Sequence, residues 1–166
     1  MTPMRFLVTA GPTREPIDDV RFISNPSTGR MGYAIAEAAA RAGHAVTLIS
    51  GPAALPDPHG VQVVRVTTTQ QMYDAVMERL DAADVLIAAA APCDYRPDAP
   101  RTGKMKKTAP EISLRLVPTP DALLDAGRSK GRRVHIGFAL EVQDARPNAL
   151  DKLRRKRLDA VVLNAP

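Results

Sequence analysis

A short stretch near the amino terminus, SNPSTGRMG beginning at Ser24, combines residue types that bind anions. Ser27 and Thr28 carry hydroxyl groups that donate hydrogen bonds. Gly29 lets a ligand approach the backbone closely, and Arg30 adds a positive charge. The stretch leads into a predicted helix, and the unpaired N–H groups of a helix N-terminus attract anions. We interpret it as a phosphate-binding loop; the alternative is that Ser27 or Thr28 only caps the helix.

The same stretch contains neither of the glycine-rich phosphate motifs, G-x-G-x-x-G or G-x-x-x-x-G-K-[ST]. It ends a predicted loop, Gly11–Gly32, that is longer than a phosphate loop requires, and long loops in compact domains are usually functional. Asn25 is notable in this loop because its amide is an uncharged donor and acceptor. We expect Asn25 to hold a carboxylate or an acyl carbonyl beside the bound phosphates.

A second candidate segment, residues 92–110, is rich in proline and lysine. Asp94 lies near its start, just past a buried apolar run, where its carboxylate would bond a sugar hydroxyl or a base amine. A simple turn-forming role for Asp94 is the alternative. Lys104, Lys106 and Lys107 would fold over a triphosphate as a lid, and a solvated basic loop is the alternative for these lysines.

Two lysines near the carboxyl terminus, Lys152 and Lys156, lie one turn apart on one face of a predicted helix. They form either a solvated face or a positive pair that reaches the phosphates. Cys93 is a lone thiol without a visible partner, so we interpret it as a packing residue. The three histidines form no ligand spacing, which argues against a protein-held zinc site.

Composition narrows the partners of such a site. The chain has 166 residues, which suits one domain, and its 23 basic and 18 acidic residues give a net charge of +5. Three Phe, three Tyr and no Trp offer few surfaces for base stacking, so a small polyanion or a solvated surface explains the charge better than nucleic acid. No apolar run is long enough for a membrane span or a signal peptide, and the single cysteine suits a reducing cytoplasm.

Alternating helices and strands must position these residues. Six apolar runs predict strands: Arg5–Ala10, Ala45–Ser50, Val61–Val66, Asp84–Ala91, Val134–Leu140 and Asp159–Asn164. Helical patterns lie between them: from Met31 to Ala42, from the N-cap Thr69 to Leu80, from Pro120 onward, and over Ala149–Arg157. The alternation predicts an α/β fold, a doubly wound, mostly parallel Rossmann-like sheet with helices on both faces. Ligands of such sheets bind beyond the carboxyl ends of the strands, where the candidate residues lie.

Two further patterns concern packing. The apolar residues of the first helix fall on one stripe, which we expect to face the sheet: Met31, Ala34, Ile35, Ala38, Ala39 and Ala42. Apolar and polar residues alternate over Ile112–Leu116, which predicts an edge-like or antiparallel strand.

Several separated motifs, taken in order, resemble one family. The run VTAGPTREPIDDVRFISNPSTGRMGYAIAEAAARAGHAVTLISGP is followed by AAAPCDYRP, GKMKK and PTPDALL. Over nearly its whole length the sequence closely resembles bacterial phosphopantothenoylcysteine synthetase, the synthetase half of the bifunctional coenzyme A biosynthesis flavoprotein. The GPTREP opening is similar to the bacterial, CTP-using type.

The resemblance implies a two-step ligation that needs Mg²⁺. The carboxylate of 4′-phosphopantothenate would attack the α-phosphate of CTP and release pyrophosphate. The amine of cysteine would then attack the acyl-cytidylate and release CMP. The resemblance also implies a cytoplasmic homodimer without flavin in this chain, and small-molecule substrates only, with neither nucleic acid nor a membrane as a partner.

The resemblance also implies roles for individual residues. Asn25 matches the residue that contacts the acyl intermediate, and Lys104 matches the lid lysine that stabilises the reacting phosphate. From the residues and the resemblance together we assign these nucleotide-binding positions: Gly11, Ser27, Thr28, Gly29, Ala88, Ala89, Ala90, Asp94, Lys104, Pro120, Asp121, Ala122, Leu123, Phe138, Lys152 and Lys156. Lys106 and Lys107 complete the lid. We assign no metal ligand, because Mg²⁺ is expected to bind through the triphosphate.

We expect residues 1–166 to form a single nucleotide-binding synthetase domain with a lid loop at about 92–110. We expect neither a preceding decarboxylase domain nor the family's C-terminal extension. An NAD(P)-dependent oxidoreductase and a truncated, non-catalytic nucleotide-binding module are the alternative functions. Against the oxidoreductase, no G-x-G-x-x-G follows the first strand, and no acidic residue follows the second strand at Ser50-Gly51-Pro52 to bind a ribose.

Overall fold

The structure, a computed structural model, describes residues 2–107 and 111–164. Its elements follow one another in this order: β1 (Arg5–Ala10), β2 (Arg14–Pro16), β3 (Phe22–Ser24), α1 (Arg30–Arg41), β4 (Ala45–Ser50), β5 (Val61–Arg65), α2 (Thr69–Leu80), β6 (Val85–Ala88), β7 (Tyr95–Pro97), β8 (Leu116–Pro118), α3 (Ala122–Arg128), β9 (Val134–Leu140), α4 (Ala145–Arg155) and β10 (Ala160–Asn164).

Six strands form one parallel sheet in the order β5-β4-β1-β6-β9-β10. From the central β1 the chain winds outward through β4 and β5, and from β6 it winds in the opposite direction. The sheet therefore changes its winding direction between β1 and β6, which is where such folds bind their ligands. The predicted fold class, a doubly wound and parallel Rossmann-like sheet, is confirmed.

Each face of the sheet carries an apolar core, because successive strand residues point to opposite faces. Leu7 and Leu86 belong to a cluster that also contains residues of α2 and α3. Their neighbours Val8 and Ile87 belong to a second cluster, which contains residues of α1. Helices thus cover both faces, as the sequence predicts, and the strand ends between them are left for a site.

Helix α1 forms as predicted, but it buries a different face. The structure buries Gly32, Tyr33 and Ala36. The predicted inward stripe is confirmed only at Ala39, which is buried, and at Ile35, which is partly buried. It is wrong at its other members, which are exposed: Met31, Ala34, Ala38 and Ala42. The reason is the close approach at Gly32, where an added Cβ would lie 2.5 Å from the Cβ of the strand residue that it faces. Packing through a glycine rotates the helix away from the face that its apolar residues indicate.

Three helix starts differ from the sequence predictions. The N-cap of α2 is Thr68, not Thr69, and it forms a capping box with Gln71. Helix α3 begins after the N-cap Asp121, whose side chain accepts a hydrogen bond from the backbone, and not at Pro120. Helix α4 begins at Ala145, four residues before the predicted start. Pro147, its third residue, fits there because the N–H groups of the first helical turn have no partner within the helix.

Two short antiparallel pairs, β2 with β3 and β7 with β8, lie outside the main sheet. The first occupies part of the predicted loop Gly11–Gly32, and β7 lies inside the predicted lid loop 92–110. The prediction that both segments are loop throughout is wrong. Strands of three residues show too little alternation to be recognised in the sequence. Only the last residue of the predicted strand Ile112–Leu116 belongs to β8, and residues 108–110 of the predicted lid lie outside the described part of the chain.

The strand predicted over Asp84–Ala91 ends at Ala88. Beyond that residue the chain continues beside the loop that follows β1, and a single bridge joins Ala91 to Pro12. Among the described residues, no helix has the length and apolar character needed to cross a membrane.

Candidate active site

A cavity of about 770 Å³ opens at the carboxyl edge of the sheet, at the change of winding direction between β1 and β6. Its floor includes Thr9 and Ala88 from these two strands, and Phe138 from β9. The cavity is large enough for a nucleotide-sized ligand, since small-molecule sites usually enclose about 300–1,000 Å³.

The cavity brings together most of the residues predicted for the site. The predicted residues that line it are Asn25, Ser27, Thr28, Ala88, Ala89, Ala90, Asp94, Pro120, Asp121, Ala122, Leu123, Phe138, Lys152 and Lys156. Five predicted residues do not line it: Gly11, Gly29, Lys104, Lys106 and Lys107. The lid lysines therefore lie away from the cavity in this structure, and their predicted roles require movement of the chain or of the side chains.

One end of the cavity lies at the N-terminus of α1. Gly29 is the N-cap of α1, in a left-handed conformation with φ 78°. No side chain accepts a capping hydrogen bond there, so the alternative interpretation, that Ser27 or Thr28 only caps the helix, is wrong. The two hydroxyls approach the nearest backbone N–H groups only at 3.4 and 3.5 Å. Such contacts are too long to hold the hydroxyls firmly, which leaves both groups available to an anion.

Two glycines that do not line the cavity allow this end to form. An added Cβ at Gly29 would lie 3.3 Å from the backbone of Gly11, so the α1 N-terminus rests directly on the loop after β1. An added Cβ at Gly51 would lie 1.7 Å from the carbonyl oxygen of Pro12. Glycine is required at this last position because no side chain fits beside that carbonyl.

Asn25 lines the cavity with its amide already oriented. Its Nδ2 group donates to the carbonyl oxygens of Ala91 and Pro92, at 3.2 and 2.9 Å. Because both amide hydrogens are used, the side-chain oxygen of Asn25 is the atom left for a ligand. Asn25 therefore presents a hydrogen-bond acceptor, whereas holding an acyl carbonyl would require it to give up one of these bonds.

The wall that Asn25 contacts, residues 89–94, is fixed by hydrogen bonds to the end of β1 and to the loop that follows it. The N–H of Ala90 donates to Thr9 Oγ1 at 3.2 Å, and the N–H of Ala91 donates to the Gly11 carbonyl at 2.9 Å. The next contact is from the N–H of Cys93 to Thr13 Oγ1, at 2.9 Å. These contacts extend the β1–β6 alignment past the end of the strands and keep the wall in an extended form.

A buried polar network that the sequence did not reveal supports this wall from below. Glu15, fully buried, accepts from the N–H and the hydroxyl of Thr69, both at 2.7 Å. Thr69 Oγ1 lies 2.8 Å from Thr13 Oγ1, and Thr119 Oγ1 donates to the Cys93 carbonyl at 2.6 Å. The network ties the β2–β3 pair, the α2 N-terminus and the wall together. Burial raises the pKa of the Cys93 thiol, which agrees with a packing role.

The other end of the cavity is cationic. Lys156 Nζ forms a 2.6 Å ion pair with Asp121 Oδ2, while Asp121 Oδ1 caps α3 by accepting from Leu124 at 3.0 Å. Lys152 Nζ donates to the carbonyl of Phe138 at 2.5 Å. Burial and the neighbouring Lys156 charge lower the pKa of Lys152. Burial opposes ionisation of Asp121, but its hydrogen bonds outweigh this effect and lower its pKa.

The two lysines hold less positive charge than their number indicates, since the Asp121 carboxylate neutralises one of them. A phosphate or a base carbonyl at this end would meet Lys152 as the cation without a carboxylate partner among the described residues. Asp94 is an exposed carboxylate on the same cavity, and its backbone carbonyl accepts from Thr119 at 2.9 Å.

The described residues contain no cluster of three or more His, Cys, Asp or Glu side chains that would hold a metal ion.

Several cavity residues were not predicted from the sequence: Thr9, Pro26, Met31, Thr69, Met72, Tyr73, Val76, Leu86, Ala91, Pro92, Cys93, Thr119, Leu140 and Asn164. Asn164 ends β10, so the rule that ligands bind at carboxyl ends of strands could have identified it. No sequence signal marks the α2 residues, whose apolar pattern predicts only core packing.

A family model described as the DNA/pantothenate metabolism flavoprotein C-terminal domain matches residues 1–166. The coenzyme A biosynthesis bifunctional protein CoaBC of Vibrio parahaemolyticus is 44% identical over 161 aligned positions, and the match covers 95% of this chain and 40% of that protein. CoaBC of Haemophilus influenzae is 46% identical over 158 residues, again 95% of this chain and 40% of that protein. The chain thus spans about two fifths of the length of these curated relatives.

Solved structures give the same match. The crystal structure of the C-terminal domain of CoaBC has 41% sequence identity and a TM-score of 0.87, covering 97% of this chain and 76% of that one. A Cab2 mutant in complex with phosphopantothenate-cysteine has 19% identity and a TM-score of 0.82, covering 98% of this chain and 72% of that one. The second likeness, at such low identity, shows a shared fold.

Proposed function

The chain belongs to the family of DNA/pantothenate metabolism flavoprotein C-terminal domains, and from this premise we propose that it is a CTP-dependent phosphopantothenate–cysteine ligase of coenzyme A biosynthesis. One observation carries the proposal: a single cavity joins the α1 N-terminus at one end to the Lys152–Lys156 pair at the other. The proposed reaction must bring two anions together, and a surface that attracts anions at both ends supports that task.

The proposed reaction has two steps. A carboxylate oxygen of 4′-phosphopantothenate attacks the α-phosphorus of CTP. The bond between that phosphorus and the oxygen that bridges it to the β-phosphate breaks, and pyrophosphate leaves. The amine of cysteine then attacks the acyl carbon of the resulting acyl-cytidylate. The acyl–oxygen bond breaks, CMP leaves, and the amine loses a proton as the amide forms.

The residues of the cavity have separate tasks in this scheme. Ser27, Thr28 and the α1 N–H groups hold one phosphate group. Lys152 and Asp121 hold the nucleotide at the other end, where Phe138 forms part of the floor. Mg²⁺ would neutralise the triphosphate and be held mainly by its oxygens, because this ion usually takes only one or two carboxylates from a protein.

Asn25 suits the second step because it presents an acceptor oxygen. A neutral amine that attacks the acyl carbon donates hydrogen bonds, and its nitrogen becomes more positive as the bond forms. The side-chain oxygen of Asn25 would orient that amine while Nδ2 stays bonded to the carbonyls of Ala91 and Pro92. Lys104 does not line the cavity, so it would reach the reacting phosphate by a movement of its side chain or of the lid. We also propose that the active form is a homodimer.

The test of this proposal is pyrophosphate release by the purified chain with Mg²⁺, CTP and 4′-phosphopantothenate, measured with and without cysteine. We expect release that depends on phosphopantothenate, is faster with cysteine, and is much slower when ATP replaces CTP. CTP binding without pyrophosphate release would contradict the ligase and favour a non-catalytic nucleotide-binding module. Reduction or oxidation of a nicotinamide cofactor would instead favour an oxidoreductase.

Lys104→Ala separates the lid lysine from general binding. We expect it to slow formation of the acyl-cytidylate more than it weakens CTP binding, because a cation that meets the developing charge acts mainly on the transition state. Arg132→Ala is the matched control, since Arg132 is exposed in the loop before β9, at the opposite edge of the sheet. Equal losses of rate and of CTP affinity in Lys104→Ala would contradict the assigned role.

A further inference from the structure

The segment that carries Lys104 is docked onto the turn between β2 and β3. The N–H of Arg101 donates to the carbonyl of Ile17 at 2.9 Å, which begins this contact. Two successive carboxylates of the turn, Asp18 and Asp19, then bind backbone N–H groups on either side of Lys104. Lys104 itself therefore lies on a short stretch of backbone that is held at both ends.

Asp18 is the stronger of the two attachments. Its side chain is fully buried and accepts from the N–H of Met105 at 3.0 Å. It also accepts from the N–H groups of Val20 and Arg21, at 2.8 and 2.7 Å, and from the Arg21 guanidinium at 2.5 Å. The Met105 N–H and the other donors together hold the pKa of Asp18 far below its usual range. The same guanidinium donates to the Met105 carbonyl at 3.2 Å, so the lid is bound through both polar groups of that residue.

Asp19 completes the attachment on the other side of Lys104. Its Oδ2 accepts from the N–H of Gly103 at 2.7 Å. Gly103 has a φ of 76°, a left-handed conformation that turns its N–H toward Asp19 at little cost in a glycine. Asp19 is exposed, so this bond can be removed without opening a cavity in the protein.

The turn that holds Lys104 belongs to the same hairpin that leads into Asn25. Strand β3 ends at Ser24, directly before Asn25, whose amide is fixed on the cavity wall. Ser24 Oγ also donates to the Thr13 carbonyl at 2.7 Å, which fixes the base of the hairpin. The Asp18–Asp19 turn thus connects the lid, through hydrogen bonds and one short strand, to the residue proposed to orient the amine.

We propose that Asp18 and Asp19 are positioning residues that hold the backbone of Lys104 in register with Asn25. This inference rests on the proposed ligase function, in which Lys104 acts on the reacting phosphate. With the backbone on both sides of Lys104 fixed, less conformational freedom is lost when the lysine reaches the phosphate. Neither aspartate touches the substrate; each acts through Lys104.

The exposed residue provides the first test. Asp19→Ala should lower kcat for pyrophosphate release about tenfold, within the roughly hundredfold that a displacement of about 1 Å can cost. The KM for CTP should change by less than about twofold, because the lost interaction acts on the transition state and not on ground-state binding. Asp19→Asn should restore most of the rate, since its amide oxygen can still accept from the Gly103 N–H.

A double-mutant cycle with Lys104→Ala supplies a readout that a merely structural role would not move. If Asp19 acts through Lys104, adding Asp19→Ala to Lys104→Ala should cause no further loss of rate. Asp98→Ala is the matched control, because Asp98 is an exposed aspartate directly after β7 whose carboxylate pairs only with Arg115 among the described residues. Asp18→Asn, tested in parallel, should lower kcat in the same Lys104-dependent way.

The outcomes separate this inference from the function on which it rests. No pyrophosphate release by the wild-type chain would refute the ligase, and the role of Lys104 with it. An active wild type with an unchanged or faster Asp19→Ala variant would refute the positioning role alone; a faster variant would mean that the carboxylates hold the lid away from the substrate. Independent, multiplying losses in the double mutant would also contradict it.

Discussion

His135 gives the sharpest quantitative prediction of the structure, because it is a buried histidine whose ring makes no hydrogen bonds among the described residues. It lies on β9 with no exposed surface, and neither ring nitrogen has a partner among the described residues. Burial, followed by the nearby charges of Lys130 and Arg133, lowers its pKa from 6.5 to about 4. Asp159 opposes the shift but does not cancel it.

The sign of the pH effect follows from these two pKa values. Between pH 6.5 and about 4 the unfolded chain binds a proton at His135 that the folded chain does not, so the free energy of unfolding falls as the pH is lowered through this window. The full difference corresponds to about 3 kcal/mol, of which about 2 kcal/mol is lost by pH 5. This is a large share of the roughly 5–15 kcal/mol that stabilises a typical domain.

The assay is urea unfolding at intervals from pH 7 to pH 4.5, for the wild type and for His135→Leu. The variant should lose about 2 kcal/mol less than the wild type between pH 7 and pH 5. It should also be no less stable at pH 7, since an apolar side chain of similar size replaces two unpaired polar atoms. His59→Gln, at an exposed position, should keep the wild-type profile. Parallel profiles for wild type and His135→Leu would refute the assignment of a neutral, buried His135.

Three further predictions concern the cavity. Gly127→Ala should lower both CTP affinity and the free energy of unfolding, the latter by about 1–3 kcal/mol, because its Cβ would lie 2.2 Å from the carbonyl oxygen of Lys156; unchanged binding in a calorimetric titration would contradict this. Thr13→Val should cost about 1–3 kcal/mol in urea unfolding, since the buried N–H of Cys93 loses its acceptor; a neutral effect would mean that the network is not continuous. Asn25→Asp should slow the cysteine-dependent step, because a carboxylate oxygen would face the two carbonyls that now accept from Nδ2; a normal rate of amide formation would remove the role given to Asn25.

The main sheet was predictable because its strands are apolar runs that end at glycine, proline or polar residues. The β2–β3 pair was not, since three residues per strand give no readable period. The buried face of α1 was mispredicted because Gly32, which carries no hydrophobic signal, sets the closest contact with the sheet. In each case a local pattern was overridden by a contact between segments far apart in the sequence.

The residues of the site likewise divide into those that the sequence predicted and those that it did not. Asn25, Asp94 and Lys152 were found from the loop lengths and charge patterns of a doubly wound sheet, together with the resemblance to a known family, and all three line the cavity. Their chemical roles stay predictions. The network of Glu15 and Thr69 was not found, because a buried glutamate paired with a helix N-terminus looks in sequence like any exposed one. The docking of the lid on Asp18 and Asp19 also depends on a contact that sequence alone does not give.

The central claim is that this cavity forms an acyl-cytidylate from 4′-phosphopantothenate and CTP. The most direct measurement is a single-turnover reaction with excess enzyme, Mg²⁺ and α-phosphate-labelled CTP without cysteine, quenched and analysed by mass spectrometry. We predict a labelled species with the mass of 4′-phosphopantothenoyl-CMP, which disappears on addition of cysteine as CMP and the amide product form together. Pyrophosphate and free CMP without that species, or no reaction of bound CTP, would contradict the account.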